Sequence, residues 1–376
     1  MDDIRAGRLP ILLGLCVLSL VPRAISAQDA SLPKINVVFV TPSDVELPPD
    51  VVERLTEVAD YTEHFLVKWM TKWGYEPERK QIFDRTADGK LRVIFFKGKD
   101  NLASGTYNQV GFQSEVWPKV IEEYKLGRHR HIWWMWVYLG DPPLKFQGFR
   151  GGGDARGGGH AFVNYLHAKG EIELNDSFGS PFLKDFALKG TIHELGHALG
   201  LPHIGPLDRD DLGMTLMGAT IPNYQRITRS KERRGYLTPA AAALLWKHPV
   251  FTGTTKDRQK LPFVKVSDLK IEPGRGRRLS VSGTLESDYP AHSVVVLDSV
   301  PDVHENYWQK SYVAKIGPEG RFSIEITEPS PAPGTLKFLF CFENGAVTGN
   351  GQELGLAGSY DREYRVGRDG YAWKNP

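Results

Sequence analysis

The sequence predicts an α+β protein in two parts, a layered sheet with helices packed on it followed by an all-β sandwich. Three observations carry this. Strand-like and helix-like patterns alternate over the first 140 residues of the chain. A helical stretch bearing closely spaced histidines follows a glycine-rich segment. From Leu261 onward only short runs of alternating polarity remain, with turn residues between them.

The elements follow in order. Residues 1–27 differ from the rest: Arg5 and Arg8 precede an apolar run from Ile11 to Val21, then Pro22 to Ala27 supplies small residues. This is the pattern of a secretory signal with a cut after Ala27, and it implies a secreted, extracellular or periplasmic protein. The other reading is an uncleaved anchor, although the run is short for a bilayer, which needs about 20 residues. No later segment is apolar enough to span a membrane. Ile35 to Val40 reads as a buried strand. Pro48-Pro49-Asp50 leads into a helix through about Trp73 that stops at Gly74. Leu91 to Lys97 is a second strand, Glu115 to Tyr124 a helix, and Ile132 to Leu139 a third strand rich in tryptophan. Six glycines in the nine residues 151–159 predict a flexible loop. It is no phosphate cradle, because the Lys-Ser/Thr ending is missing. A short strand, His160 to Tyr165, precedes a helix from Phe182 to Leu199, and Thr238-Pro239 opens another through Lys247. Residues 28–251 are thus read as the first domain, 252–260 as a polar linker, and 261–376 as a sandwich with a C-terminal tail. Strands of the sandwich fall at Leu279 to Gly283, Val294 to Leu297, Phe322 to Ile326 and Leu336 to Phe342.

Composition is that of an ordinary globular protein, with 41% hydrophobic and 24% charged residues among 376. A net charge of +2 gives no reason to invoke nucleic acid as a partner. Of the two cysteines, Cys16 lies in the signal, so Cys341 has no partner for an internal disulfide. The arginines at 275, 277 and 278, and the cluster from Arg229 to Arg234, are read as solvated surface rather than an anion site.

The chemistry lies in Thr191-Ile192-His193-Glu194-Leu195-Gly196-His197-Ala198-Leu199-Gly200-Leu201-Pro202-His203. His193 and His197 stand one helical turn apart on one face, about 5–6 Å between Cβ atoms. Two imidazoles so placed can share one zinc ion at about 2.0–2.1 Å. Glu194 sits to the side of that face, where it can hold a water without ligating the metal. Gly200 ends the helix and Pro202 prevents its continuation, so His203 returns from another direction. Three histidines make three corners of a tetrahedron and leave the fourth open, as a catalytic zinc site requires.

With these residues in place the sequence resembles the metzincin metallopeptidases, whose histidine motif is followed by a methionine turn. Thr215-Leu216-Met217-Gly218-Ala219 matches that turn, with Met217 beneath the metal. The resemblance is sharp only from Thr191 to Ala219. It implies a twisted mixed sheet, an active-site helix, one catalytic Zn2+, a protein or peptide substrate, and an endopeptidase with Glu194 as general base. It further implies a substrate-aligning edge strand, for which His160, Ala161 and Phe162 are the candidates. In matrixins the histidine of a similar Gly-His-Ala-Phe segment binds a second zinc, but His160 has no convincing partner set here. The subfamily stays unassigned: Ile204 after the third histidine matches no marker, and Ala219 stands where astacins place a tyrosine. Tyr224 is a candidate oxyanion donor in its stead. Asp208, Asp210 and Asp211 form either a Ca2+ site or a solvated acidic loop. The rival function is a non-catalytic extracellular binding protein acting through the sandwich, its partner unknown, with a relic metal site.

Overall fold

A computed structural model describes residues 33–125, 127, 131–141, 146–153, 157–168, 187–207, 212–219, 235–258, 260–301, 307–349, 360–367 and 370–374. The segment expected to be a signal, residues 1–27, the Asp208–Asp211 cluster, Tyr224 and the start of the helix expected over 182–199 lie outside the described residues. Residues 33–376 form one compact unit.

The first part is a mixed five-stranded sheet. Its strands are β1 (Ile35–Thr41), β2 (Val93–Lys97), β3 (Ile132–Val137), β4 (Arg150–Gly153) and β5 (Gly159–Asn164), in the order β2-β1-β3-β5-β4. All pairs are parallel except β4 on β5. Because successive side chains alternate faces, β1 sends Ile35, Val37 and Phe39 into one core and Val38 and Val40 into another. The aromatic run of β3 divides likewise, Trp134 and Trp136 to one side, Trp133 and Met135 to the other. Continuous apolar strands are what a parallel sheet covered on both faces demands.

Helix α1 (Val51–Lys72) covers the first face with Leu55, Val58, Phe65, Leu66 and Trp69. Helix α2 (Gln113–Tyr124) covers the second with Val116, Trp117 and Val120. Helix α3 (Ala187–Ala198) shares the first face, burying Leu188, Ile192 and Leu195 in the same cluster as α1. Two-residue strands β6 (Met214–Thr215) and β7 (Gly235–Tyr236) pair in parallel beyond it. Helix α4 (Pro239–Trp246) then begins as its sequence predicts, with the Thr238 hydroxyl accepting from the Ala241 N–H. A short α5 (Pro249–Thr252) follows.

The glycine-rich segment departs from expectation. Its beginning is not a loop but strand β4, and β4 rather than β5 is the outermost strand on that side among the described residues. The edge-strand reading of His160, Ala161 and Phe162 is therefore corrected: β5 is hydrogen-bonded on both sides, with Ala161 and Phe162 fully buried. The glycines serve packing. A Cβ on Gly159 would fall 1.9 Å from the Ala198 carbonyl oxygen, and one on Gly151 2.0 Å from that of Glu194. Only bare backbone lets α3 lie this close on β4 and β5.

The second part is antiparallel. Strands β8 (Lys265–Pro273), β9 (Leu279–Glu286) and β12 (Arg321–Ile326) make a three-stranded sheet in the order β12-β9-β8. Strands β10 (Ala291–Ser299), β11 (Lys310–Lys315), β13 (Gly334–Phe342), β14 (Val347–Gly349), β15 (Arg362–Gly367) and β16 (Gly370–Trp373) make the other, ordered β11-β10-β13-β15-β16 with β14 on β13. The two sheets share a core of Val281, Val294, Val296, Ile324, Phe338 and Phe340. The opposite face of β10 and β13, carrying Val295, Leu297, Leu339 and Cys341, joins the core of the first part. Within 252–260, Arg258 is buried and donates to the Gly345 carbonyl.

Candidate metal centre

Helix α3 delivers His193, Glu194 and His197. Gly200, at φ +86°, ends it by adopting the left-handed conformation, and the chain doubles back to bring in His203. The three imidazoles then converge. His197 Nε2 lies 3.1 Å from His193 Nε2 and 3.0 Å from His203 Nε2. All three ligand atoms fall within 4.8 Å of one another, the only such group of three among the described residues.

These residues fit a metal. His193 Nδ1 lies 2.9 Å from the Leu216 carbonyl and His197 Nδ1 2.8 Å from that of Leu201. A carbonyl can only accept, so both Nδ1 atoms carry the proton and both Nε2 atoms present lone pairs. Two lone pairs 3.1 Å apart repel unless a cation lies between them. Ligands about 2.0–2.1 Å from a tetrahedral ion stand about 3.3 Å apart, close to the spacing seen. Burial, reinforced by the Lys189 ammonium and the neighbouring histidines, holds the His193 imidazole well below its ordinary pKa, hence neutral as a ligand must be.

The segment after β6 acts as a scaffold through its backbone. The Leu216 carbonyl orients His193, and the Met217 carbonyl takes the Ile204 N–H beside the third histidine. The Gly218 and Ala219 carbonyls accept from Lys189 Nζ at 3.0 and 3.2 Å. Met217 is buried beneath α3, its sulfur against Gly196, where a Cβ would lie 2.5 Å away. Glu194 is half-buried, and burial pushes its carboxyl up to about 7, against the Gly151 N–H and the Lys189 ammonium, which both pull it down. Lys189 is itself pushed down to about 7 by burial.

Four contributors escape a reading of the sequence. Lys189 resembles any helix lysine, and Gly151 any loop glycine. Tyr307 and Gln309 come from the second part: the Tyr307 ring lies 3.8 Å from that of His203, and Gln309 Nε2 donates to the His203 carbonyl at 2.8 Å across 106 residues of chain. No local pattern signals that encounter. His160, by contrast, lies against the Trp117 and Phe162 rings on the sheet, within the aromatic packing.

The chain is similar in fold to OgpA. A crystal structure of the wild-type protein from Akkermansia muciniphila aligns with a TM-score of 0.68 at 22% identity, covering 92% of this chain and 96% of that one. A catalytically inactive OgpA in complex with an O-glycopeptide (glycodrosocin) substrate aligns with a TM-score of 0.67 at the same identity and coverage. No protein-family model matches the chain, and no curated protein matches its sequence. No helix among the described residues is long and apolar enough to cross a membrane.

Proposed function

We propose that the chain is an exported zinc-dependent endopeptidase of metzincin type. In this reading residues 1–27 are its signal, 28–251 the catalytic part, 252–260 the connection and 261–376 a β-sandwich. The observation that carries it is the convergence of three imidazole Nε2 atoms beside a half-buried glutamate whose carboxyl is pushed up to about 7. A zinc ion held by His193, His197 and His203 supplies Lewis-acid activation of water and of the scissile carbonyl. Glu194 takes the proton of the attacking water and passes it to the leaving amine. The outer side of β4, next to Glu194, offers backbone donors and acceptors to an extended peptide. Likeness in fold to OgpA, one structure of which holds an O-glycopeptide, supports a peptide substrate and puts glycosylated peptides among those to be tried.

The test is cleavage of an unbiased peptide mixture, with and without O-glycans, by residues 28–376 and by Glu194→Gln. The expected result is cleavage by the parent, stopped by a chelator and restored by Zn2+, with kcat lowered at least about 10²-fold in the variant at unchanged metal content. Equal cleavage by the variant, or none by folded, zinc-loaded parent, would overturn the reading.

A further inference from the structure

The first two histidines are fixed by carbonyls of the first part, at Leu216 and Leu201. The third is held differently. The ring of Tyr307, on the connection between β10 and β11, lies over His203 at 3.8 Å between centroids and 30° between planes. The same ring stands 6.0 Å from His193 and nearly parallel to it, at 18°. Two residues on, Gln309 grips the turn at both ends: its side-chain amide donates to the His203 carbonyl at 2.8 Å, and its own carbonyl accepts from the Gly205 N–H at 2.7 Å. Between them, Trp308 lies so close that a Cβ on Gly205 would fall 2.7 Å from its Cα. Gln309 is 5% exposed, so its two hydrogen bonds to the turn are shielded from water, while Tyr307 and His203 are half-buried.

We propose that Tyr307 and Gln309 are positioning residues for the third metal ligand, so that the C-terminal part completes the metal centre of the N-terminal part. This rests on the reading of the three histidines as metal ligands. His203 follows the helix stop, where the chain has no regular structure of its own to hold an imidazole in place. The tyrosine ring limits rotation of that imidazole, and the glutamine fixes the backbone that carries it. Residues that orient metal ligands typically change affinity 10–100-fold when removed.

The experiment measures Zn2+ affinity of the full mature chain by competition with a chromophoric chelator, together with the melting temperature of the metal-free protein. Tyr307→Leu and Gln309→Ala are expected to weaken Zn2+ binding about 10–100-fold. Tyr307→Phe, which keeps the ring, is expected to stay within about threefold of the parent. In a His203→Ala background, Tyr307→Leu is expected to add nothing, because the ligand it orients has gone. Unchanged affinity in Tyr307→Leu and Gln309→Ala would overturn the proposal. So would an equal loss in the His203→Ala background accompanied by a lower metal-free melting temperature, which marks a merely structural role. A loss in Tyr307→Phe as large as in Tyr307→Leu would also overturn it, because the hydroxyl and not the stacked ring would then matter. A parent that binds no Zn2+ would instead sink the metalloprotease reading itself.

Discussion

Lys189 shows how much of the site depends on a side chain that is no ligand. It lies one turn before His193 on α3, 2% exposed, and donates to two carbonyls of the turn that also orients His193. Lys189→Met keeps the bulk and removes the donor. Stranding buried carbonyls costs about 1–3 kcal/mol. A lower melting temperature and weaker Zn2+ binding are expected together, because the Leu216–Ala219 backbone that Lys189 ties down is also what His193 leans on. A variant as stable as the parent, measured by thermal unfolding, would show that the ammonium holds nothing.

Among the elements, the contact between α3 and the β4–β5 pair decides where Glu194 stands. Gly151 meets α3 twice, with its Cα against the Glu194 carbonyl and its N–H on the Glu194 carboxylate. Gly152, the next residue, has nothing within 4 Å of where a Cβ would be. Gly151→Ala must push helix and strand apart, at a cost of about 1–3 kcal/mol and with loss of the glutamate's placement. Gly152→Ala should change stability by less than about 0.5 kcal/mol. Chemical denaturation of the two variants side by side checks the contrast, and equal effects would mean that the glycines are simply loop residues. Read along the chain, 151–159 is only a glycine run; the pairing Gly151↔Ala161 and the approach of α3 give it meaning.

At the scale of the whole molecule, the two parts meet over a buried polar junction. Tyr75 from the first part shares the Ser293 hydroxyl with His292 of the second, and the Trp246 ring stands edge-on to His292. Burial, helped by the nearby charges of Lys247 and Lys315, pushes His292 down to about 3. In the unfolded chain its pKa is about 6.5. Between those values the unfolded state binds the proton and the folded state does not, so stability falls as pH drops below about 6.5. At pH 5 the loss is about 2 kcal/mol from this group. Melting temperatures at pH 7 and pH 5 should therefore differ more in the parent than in His292→Gln, and equal slopes would remove His292 from the acid response.

The sequence alone determined what local physics controls. Hydrophobic patterning set β1, β3, α1 and four of the second-part strands, β9, β10, β12 and β13, because each must bury a face wherever it finally packs. The helical repeat of His193 and His197, the stop at Gly200 and the return at His203 are also local, so the three-histidine group was legible before any fold was known. Strand order was not, since β4 and β5 pair by a choice among neighbours that no single strand encodes, and the edge was assigned to the wrong one. Tyr307, Gln309 and Lys189 were invisible for a related reason. Their types are common, and only the packing of residues distant along the chain, 106 positions apart for Gln309 and His203, brings them to the histidines and their scaffold.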